Sequence, residues 1–192
     1  RHDSLVTTFS GLILKSATAH VLHVGDSRVY RLREQTLEQL SRDHSVQQGG
    51  REFLSRALGM DSHLEVDYGQ EPLHSGDIFL LTTDGVHGFL TTAQLQQALQ
   101  LLPAEAGQHQ LERACRQLVQ QALEQGSDDN ASCCLVQIQQ VAEPDFHEAQ
   151  RELQARIIPP VLKAGDTIDH FRVLDVLYAG TRSHLYKVRN LR

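Results

Sequence analysis

The segment IFLLTTDGVHG, residues 78–88, sets the organisation of the whole chain. Its apolar half, residues 78–81, follows a Ser-Gly-Asp turn and is typical of a buried β-strand. We expect the strand to deliver Asp84 at its end, where Gly85 lets the backbone turn away because glycine tolerates unusual φ and ψ values. Packing then holds the carboxylate rigidly, which predicts a metal ligand at Asp84.

Two more acidic turns lie beside apolar, β-prone segments: VGDSR at residues 24–28 and DDNAS at residues 128–132. Turns at strand ends can converge at one edge of a sheet, and Mg²⁺ and Mn²⁺ prefer oxygen ligands. A site with two such ions lowers the pKa of bound water to about 7 and suits phosphoryl displacement. One alternative stays open, in which Asp26 and Asp129 are ordinary turn residues that cap backbone N–H groups.

Composition restricts the function classes. The chain has 192 residues, 40% of them hydrophobic, and a formal net charge of −6. The hydrophobic fraction is high enough for a packed core, and the negative net charge argues against nucleic-acid binding as the main role. No run of 18 apolar residues is present, so we expect no membrane contact within the chain.

The cysteines and histidines show no metal-ligand spacing. Cys115, Cys133 and Cys134 include no Cys-x-x-Cys pair, which excludes a disulfide framework and a zinc ribbon. We interpret the cysteines as small core residues of a protein from a reducing compartment, and nearly all 11 histidines as surface or packing residues. We therefore expect a cytoplasmic location, and we leave a membrane anchor beyond Arg192 open.

Hydrophobic periodicity predicts an α+β fold in which helices cover antiparallel sheet. Alternating segments come first, and we interpret the first four as an antiparallel meander. Ser45 is predicted to cap a short helix that Gly49 and Gly50 end. The predicted strands are residues 5–14, 19–25, 29–32, 36–40, 65–73, 78–81 and 131–141, and the predicted main helices are residues 92–102 and 111–126.

The composition and the hydrophobic pattern of the sequence change after residue 141. Residues 142–156 are polar, and Ile-Ile-Pro-Pro at residues 157–160 is typical of an extended linker. A new alternating stretch follows Gly165. We therefore predict a domain at residues 1–141, a linker at 142–165 and the start of a second domain at 166–192, which is too short to fold alone.

Four motifs occur in order along residues 4–141: VGDSR, RDHS at residues 42–45, TTDG at residues 82–85, and DDNAS. Together they resemble the later motifs of the metal-dependent protein phosphatases, the PPM type or protein phosphatase 2C. The resemblance implies a partial sandwich of two antiparallel β-sheets flanked by helices. It also implies hydrolysis of phosphoserine and phosphothreonine in proteins by direct attack of metal-activated water, with two Mn²⁺ or Mg²⁺ ions in the complete domain.

The same resemblance assigns roles to single residues. Asp84 and Asp129 fall on ligands of the second catalytic ion, and Asp26 falls on a ligand of a third, weaker ion. Gly25, Gly85 and Asn130 are motif-supporting residues.

Two departures from the family pattern accompany these assignments. Many members carry another Asp where Gly88 stands, so third-metal binding is in doubt. The earliest family motifs, with the phosphate-binding Arg and the Asp that bridges both metals, do not occur in the chain. We expect the catalytic residues upstream of Arg1 and expect the chain to be inactive by itself.

Residues 171–188 resemble something else, the first two strands and glycine-rich loop of a protein kinase. Gly180 is the candidate for contact with nucleotide phosphates, whereas Tyr178 and Ser183 stand where two further glycines are expected. An unrelated β-hairpin remains the alternative. The order of phosphatase, linker and kinase resembles bacterial bifunctional phosphatase–kinase proteins, which implies that the kinase part binds ATP.

Two functions are compatible with these patterns. The first is a protein serine/threonine phosphatase that acts on a phosphoprotein. The second is a non-catalytic phosphatase-like module that regulates the linked kinase. Retention of Asp26, Asp84 and Asp129 favours the enzyme.

Overall fold

The computed structural model describes residues 5–61, 63–143, 145, 148, 150, 161–180 and 183–191. The chain divides into two compact units, Arg1–Glu148 and Ala149–Arg192. Much of the predicted linker, residues 142–165, lies outside the described residues, so its structure stays a prediction. Among the described residues, no helix is long and apolar enough to span a membrane.

The first unit contains nine strands and three helices within its described residues. The strands are β1 (Phe9–Lys15), β2 (Thr18–Val24), β3 (Arg28–Arg33), β4 (Thr36–Gln39), β5 (Ser45–Gln48), β6 (Arg51–Leu54), β7 (Asp67–Pro72), β8 (Ile78–Thr82) and β9 (Cys133–Gln137). The helices are α1 (Asp84–His87), α2 (Thr92–Gln100) and α3 (Gln108–Glu124). All strand pairs are antiparallel, in the orders β1-β2-β7 and β4-β3-β8-β9, with β5-β6 as a separate hairpin.

The central strand β8 divides the core into two layers. Ile78 and Leu80 belong to a large buried cluster that also contains Leu95 of α2 and Leu118 of α3. Phe79, on the other face of the strand, packs in a smaller cluster with residues of the β1-β2-β7 region, including Ala19 and Leu73. Because side chains alternate along a strand, one four-stranded sheet packs helices on one face and a second sheet on the other.

The predicted meander is wrong. β1 pairs with β2, and β3 pairs with β4, but β2 pairs next with β7 and β3 pairs next with β8. The chain therefore passes from one sheet to the other at Gly25 and Asp26. Burial of β3 and β8 in the centre of the second sheet outweighs pairing between neighbours along the chain, which local alternation alone does not reveal.

The predicted helix after Ser45 is also wrong. Residues 45–54 form the β5-β6 hairpin, and Gly49 and Gly50 make its two-residue turn with φ values of 61° and 77°. Two successive positive φ values match the turn that the right-handed twist of a hairpin favours. The glycine pair was interpreted as a helix stop, although it is also a hairpin signal.

The predicted main helices are confirmed. α2 begins after Thr91, whose hydroxyl accepts the Gln94 N–H at 3.3 Å, while the Gln94 side chain accepts the Thr91 N–H at 2.9 Å. This reciprocal capping box fixes the start of the helix. α3 buries Ala114, Leu118 and Ala122 on one face, as the 3.6-residue period predicts.

The second unit contains a three-stranded antiparallel sheet in its described residues. Its strands are β10 (Thr167–Ile168), β11 (Phe171–Ala179) and β12 (His184–Asn190), in the order β10-β11-β12. Gly180 lies in the β11-β12 connection, of which residues 181 and 182 are outside the described residues. Since an unrelated hairpin would form the same pairing, the kinase interpretation stays a prediction.

Candidate metal centre

The connection between the two sheets carries Asp26. Gly25, immediately before it, has a φ of 114°, and a Cβ atom there would lie 2.4 Å from Cγ2 of Thr8. Only glycine fits this backbone conformation and this close approach without strain. Steric constraints therefore explain why the second position of the VGDSR motif is glycine.

Two buried histidines hold the backbone of Gly25. The Gly25 N–H donates to Nδ1 of His44 at 3.1 Å, and Nε2 of His23 donates to the Gly25 carbonyl at 3.0 Å. The rings lie 4.9 Å apart, and His44 in turn donates from Nε2 to Asp67 at 3.0 Å. Burial lowers the pKa of His23, and the neighbouring His44 adds to this effect. Both histidines are therefore packing residues that fix the turn ahead of Asp26.

Asp84 stands at the first position of α1, directly after β8. Its Oδ1 accepts the Gly85 N–H at 2.9 Å, and its side chain is exposed. The preceding Thr83 bonds to the DDNAS loop, because its N–H donates to the Ser132 carbonyl at 3.0 Å and its hydroxyl donates to the Asn130 carbonyl at 2.8 Å. The Asp84 corner and the DDNAS loop are thus tied together.

Gly85 allows the two backbones to approach closely. A Cβ atom on Gly85 would lie 2.9 Å from both the carbonyl carbon and the carbonyl oxygen of Asn130. Ser127 adds a bond from its hydroxyl to the Gly85 carbonyl at 2.7 Å. In the same loop, Asp129 is exposed, and its Oδ1 accepts the Asn130 N–H at 2.6 Å.

Asp26 and Asp84 line one cavity of about 230 Å³ together with Arg28, Asp43 and His87. The cavity therefore joins the turn between the sheets to the corner at the end of β8. Two of the three predicted ligands meet here although 57 residues of sequence lie between them. Asp129 does not line this cavity, but its loop bonds to the Asp84 corner.

The Arg28 guanidinium, the cationic group of the cavity wall, is paired with Asp43. Arg28 donates from Nε to Asp43 Oδ2 at 2.9 Å and from Nη2 to the same oxygen at 2.6 Å. Burial opposes ionisation of Asp43, but the bonds from Arg28 outweigh it and hold the pKa of this carboxyl below its usual range. Arg28 therefore has the structural role of pairing near the turn.

His87 forms another part of the cavity wall. Burial and the nearby Arg28 together lower its pKa to about 4, although Asp43 opposes this shift. Its Nδ1 is hydrogen-bonded to the Thr82 hydroxyl at 2.9 Å. At neutral pH the ring is uncharged, so among the cavity residues named here three carboxylates face one guanidinium.

The described residues include no group of three His, Cys, Asp or Glu side chains placed closely enough to hold an ion. The predicted three-carboxylate cluster is therefore not formed by Asp26, Asp84 and Asp129 as placed here. Asp84 and Asp129 each use one oxygen to cap the next N–H, as the turn alternative predicts for Asp129. A carboxylate has about four lone-pair positions, so such a cap is compatible with a cation on its other oxygen.

Several supporting residues were missed by sequence reasoning. Asp43 and His44 lie in the RDHS motif, which pointed to the family but not to their contacts with Arg28 and Gly25. The only pattern in the sequence that could have indicated these contacts was the spacing of short polar motifs at strand ends. Their partners lie 15 and 19 residues away, and only the paired sheets bring them together.

Comparison with known proteins places this site in a family. The family model described as Stage II sporulation protein E (SpoIIE) matches residues 3–138. The chain belongs to the SpoIIE family. The predicted PPM-type domain is thereby confirmed, whereas the kinase-like residues 166–192 lie outside the match and stay a prediction.

Named relatives of this SpoIIE-family chain are phosphatases. The serine/threonine phosphatase stp of Listeria welshimeri is 26% identical over 151 residues, which cover 70% of this chain and 58% of the Listeria protein. The chain thus spans less than two thirds of the length of this curated relative.

Solved structures share the fold. PppA, described as a key regulatory component of T6SS in Pseudomonas aeruginosa, is 30% identical with a TM-score of 0.60 over 68% of this chain and 56% of PppA. The catalytic domain of the serine threonine protein phosphatase PstP, in complex with two manganese ions, is 25% identical with a TM-score of 0.57 over 68% of this chain and 57% of that domain. The predicted PPM-type fold of antiparallel sheets with few helices is confirmed.

Proposed function

We propose that the natural protein removes phosphate from phosphoserine or phosphothreonine in proteins, with Mn²⁺ or Mg²⁺ as cofactor. One observation carries the proposal: Asp26 and Asp84 share a cavity, and Thr83 ties the loop of Asp129 to the same corner. The family match and the phosphatase relatives support the reaction class.

The donor set fits a hard divalent cation. Asp84 and Asp129 are exposed carboxylates on neighbouring, mutually bonded turns, and carboxylate oxygens are the preferred ligands of Mg²⁺ and Mn²⁺. We propose that these two residues hold one catalytic ion and that Asp26 contributes to a weaker third site. Gly88 supplies no side-chain oxygen for that third site. When bound, the ions supply an activated water and charge stabilisation for phosphoryl transfer.

The chain's own residues prepare the cavity electrostatically. Asp43 forms an ion pair with the Arg28 guanidinium and neutralises its charge. His87 is neutral at physiological pH because its pKa is about 4. Positive charge in the wall is therefore small, which leaves a field that attracts cations. Gly25 sets the first turn by its positive φ and its close approach to Thr8, and Gly85 sets the second by its close approach to the Asn130 backbone.

Further parts of the proposal concern the whole protein. We propose that residues needed for catalysis precede Arg1, that residues 166–192 begin a kinase domain, and that Gly180 contributes to an ATP-binding loop. We also propose a phosphoprotein as substrate and the cytoplasm as the location.

The test is a Mn²⁺ titration of the natural protein that follows phosphate release from a phosphothreonine peptide. We expect saturable activity that falls by more than about 100-fold in Asp84→Asn and in Asp129→Asn, because each removes a charged ligand. Asp128→Asn is the matched control, since Asp128 is an exposed acid of the same loop without a proposed ligand role. Full activity in both ligand variants would overturn the assignment.

A non-catalytic regulatory module is the second candidate. The capping bonds of Asp84 and Asp129 and the absence of a three-ligand cluster among the described residues favour it. It predicts no phosphate release at any Mn²⁺ concentration and altered activity of a linked kinase. Reading the residues that precede Arg1 would also discriminate, because the enzyme requires an Asp-Gly motif there.

A further inference from the structure

Cys115 and Cys133 form a thiol pair between helix α3 and strand β9. Sγ of Cys133 donates to the Cys115 carbonyl at 3.4 Å, which places this sulfur against the backbone of residue 115. Both residues are partly exposed. The neighbouring Cys134 is exposed and, because side chains alternate along a strand, points to the opposite face of the sheet.

The pair is open to small solutes. Cys115 and Cys133 line a cavity of about 430 Å³ together with Arg116, Val119 and Ser132. The cavity contains no residue of the proposed metal centre. A small oxidant can thus reach the surface that these two residues line without unfolding the protein.

The two thiols differ in reactivity. Interaction with the Cys133 thiol lowers the pKa of Cys115 to about 7, although burial and the nearby Glu112 oppose this shift. The same interaction, together with burial, raises the pKa of Cys133. Because a thiolate is the nucleophile, Cys115 is the sulfur that reacts first at neutral pH, and Cys133 keeps its proton.

We propose that Cys115 and Cys133 form a peroxide-sensitive dithiol that closes to a disulfide. The Cys115 sulfur attacks one oxygen of hydrogen peroxide, the O–O bond breaks, and a sulfenic acid and one water form. The Cys133 sulfur then attacks the Cys115 sulfur, loses its proton and displaces a second water. Two thiols are oxidised and one peroxide is reduced to two waters.

The position of Cys133 couples this chemistry to the metal centre. Cys133 follows Ser132 directly, and Ser132 bonds to Thr83 through both its N–H and its carbonyl, each at 3.0 Å. Drawing Cys133 towards α3 therefore strains the link between the DDNAS loop and the Asp84 corner. The resulting loss of phosphatase activity rests on the proposed function, whereas formation of the disulfide does not.

The first measurement is chemical. The natural protein is reduced, treated with hydrogen peroxide, alkylated and mapped by mass spectrometry of peptides without reduction. We expect a peptide pair linked through Cys115 and Cys133, lost in Cys115→Ser and in Cys133→Ser and retained in the control Cys134→Ser. A wild-type disulfide that joins Cys134 to either residue in place of the Cys115–Cys133 link, or oxidation of wild-type Cys115 without any link, would overturn the proposal.

The second measurement separates the two proposals. Phosphate release is followed before oxidation, after oxidation and after treatment with dithiothreitol, with an expected fall of more than about 10-fold that dithiothreitol reverses. A fully linked protein with unchanged activity would refute the coupling to the metal centre. A reduced protein without activity would contradict the proposed function, and peptide mapping would still decide whether the dithiol exists.

Discussion

The Gly25–Asp26 turn and the Asp84 corner both present a carboxylate to the same cavity, but different forces hold them. Two buried imidazoles and one backbone bond hold the first, since the His23 and His44 side chains bond to the Gly25 backbone and the His44 N–H donates to the Gly25 carbonyl at 2.7 Å. Backbone and hydroxyl groups hold the second, through Thr83 and the DDNAS loop.

The difference has consequences for mutation. The first turn lies where the chain leaves one sheet for the other, so buried side chains supply two of its bonds in place of a strand ladder, beside one backbone bond. The second lies at the end of paired strands β8 and β9, so the ladder already brings the two loops together. Replacing a side chain that bonds to the turn should therefore disturb the first turn most. Adding a Cβ atom at Gly25 or Gly85 should disturb the turn in both places.

The largest effect is expected for Gly25→Ala. The new Cβ would lie 2.4 Å from Thr8 Cγ2, and alanine would also be strained at a φ of 114°. Strain and overpacking together should lower the free energy of unfolding by about 3–5 kcal/mol, measured by denaturant melts. Gly69→Ala is the control, because no atom lies within 4 Å of its added Cβ. Equal midpoints for the two variants would refute the steric account of Gly25.

His44→Phe tests the side-chain clamp directly. Phenylalanine keeps the ring volume but leaves the buried Gly25 N–H without its acceptor, which should cost about 2–3 kcal/mol of unfolding free energy. His20→Phe is the comparison, since His20 is only half-buried and stacks on Tyr68. If both variants melt alike, the histidine clamp does not stabilise the turn.

Gly85→Ala tests the backbone contact at the second corner. The added methyl group meets Asn130 at 2.9 Å, so the DDNAS loop must move away. We expect about 1–2 kcal/mol of lost stability and a weaker apparent affinity for Mn²⁺ in the phosphate-release titration. An unchanged Mn²⁺ midpoint would mean that the two loops need not stay in contact for metal binding.

The smallest effect is a pH dependence from His87. Its pKa is about 4 in the fold and near 6.5 when unfolded, so the unfolded chain binds more protons between these values and stability falls as the pH falls through this window. With a discount for the partly exposed ring, we expect about 1 kcal/mol between pH 7 and pH 5. Thermal melts of His87→Gln should lack this part of the slope. If the stability of His87→Gln depends on pH as strongly as that of the wild type, the pH dependence comes from other groups, among them His23.

Local patterns predicted much of the fold because they depend on neighbours in sequence. The period of Ala114, Leu118 and Ala122 was enough for α3, and the apolar spacing over residues 92–102 was enough for α2. The β5-β6 hairpin was missed because Gly49-Gly50 is compatible with both a helix end and a tight turn. The meander was missed because β3 pairs with β8, which lies about 50 residues further along the chain.

The candidate site divides in the same way. The sequence by itself determined that Asp26, Asp84 and Asp129 stand in turns beside apolar strands, because the turn residues and the alternation are local. Only the tertiary structure decided which turns meet: Asp26 and Asp84 at one cavity, and the Asp129 loop against Gly85. It also decided that His23 and His44 hold Gly25, since the geometry of such bonds depends on how two sheets pack. Contacts between distant segments follow from burial of the whole core, which no single motif encodes.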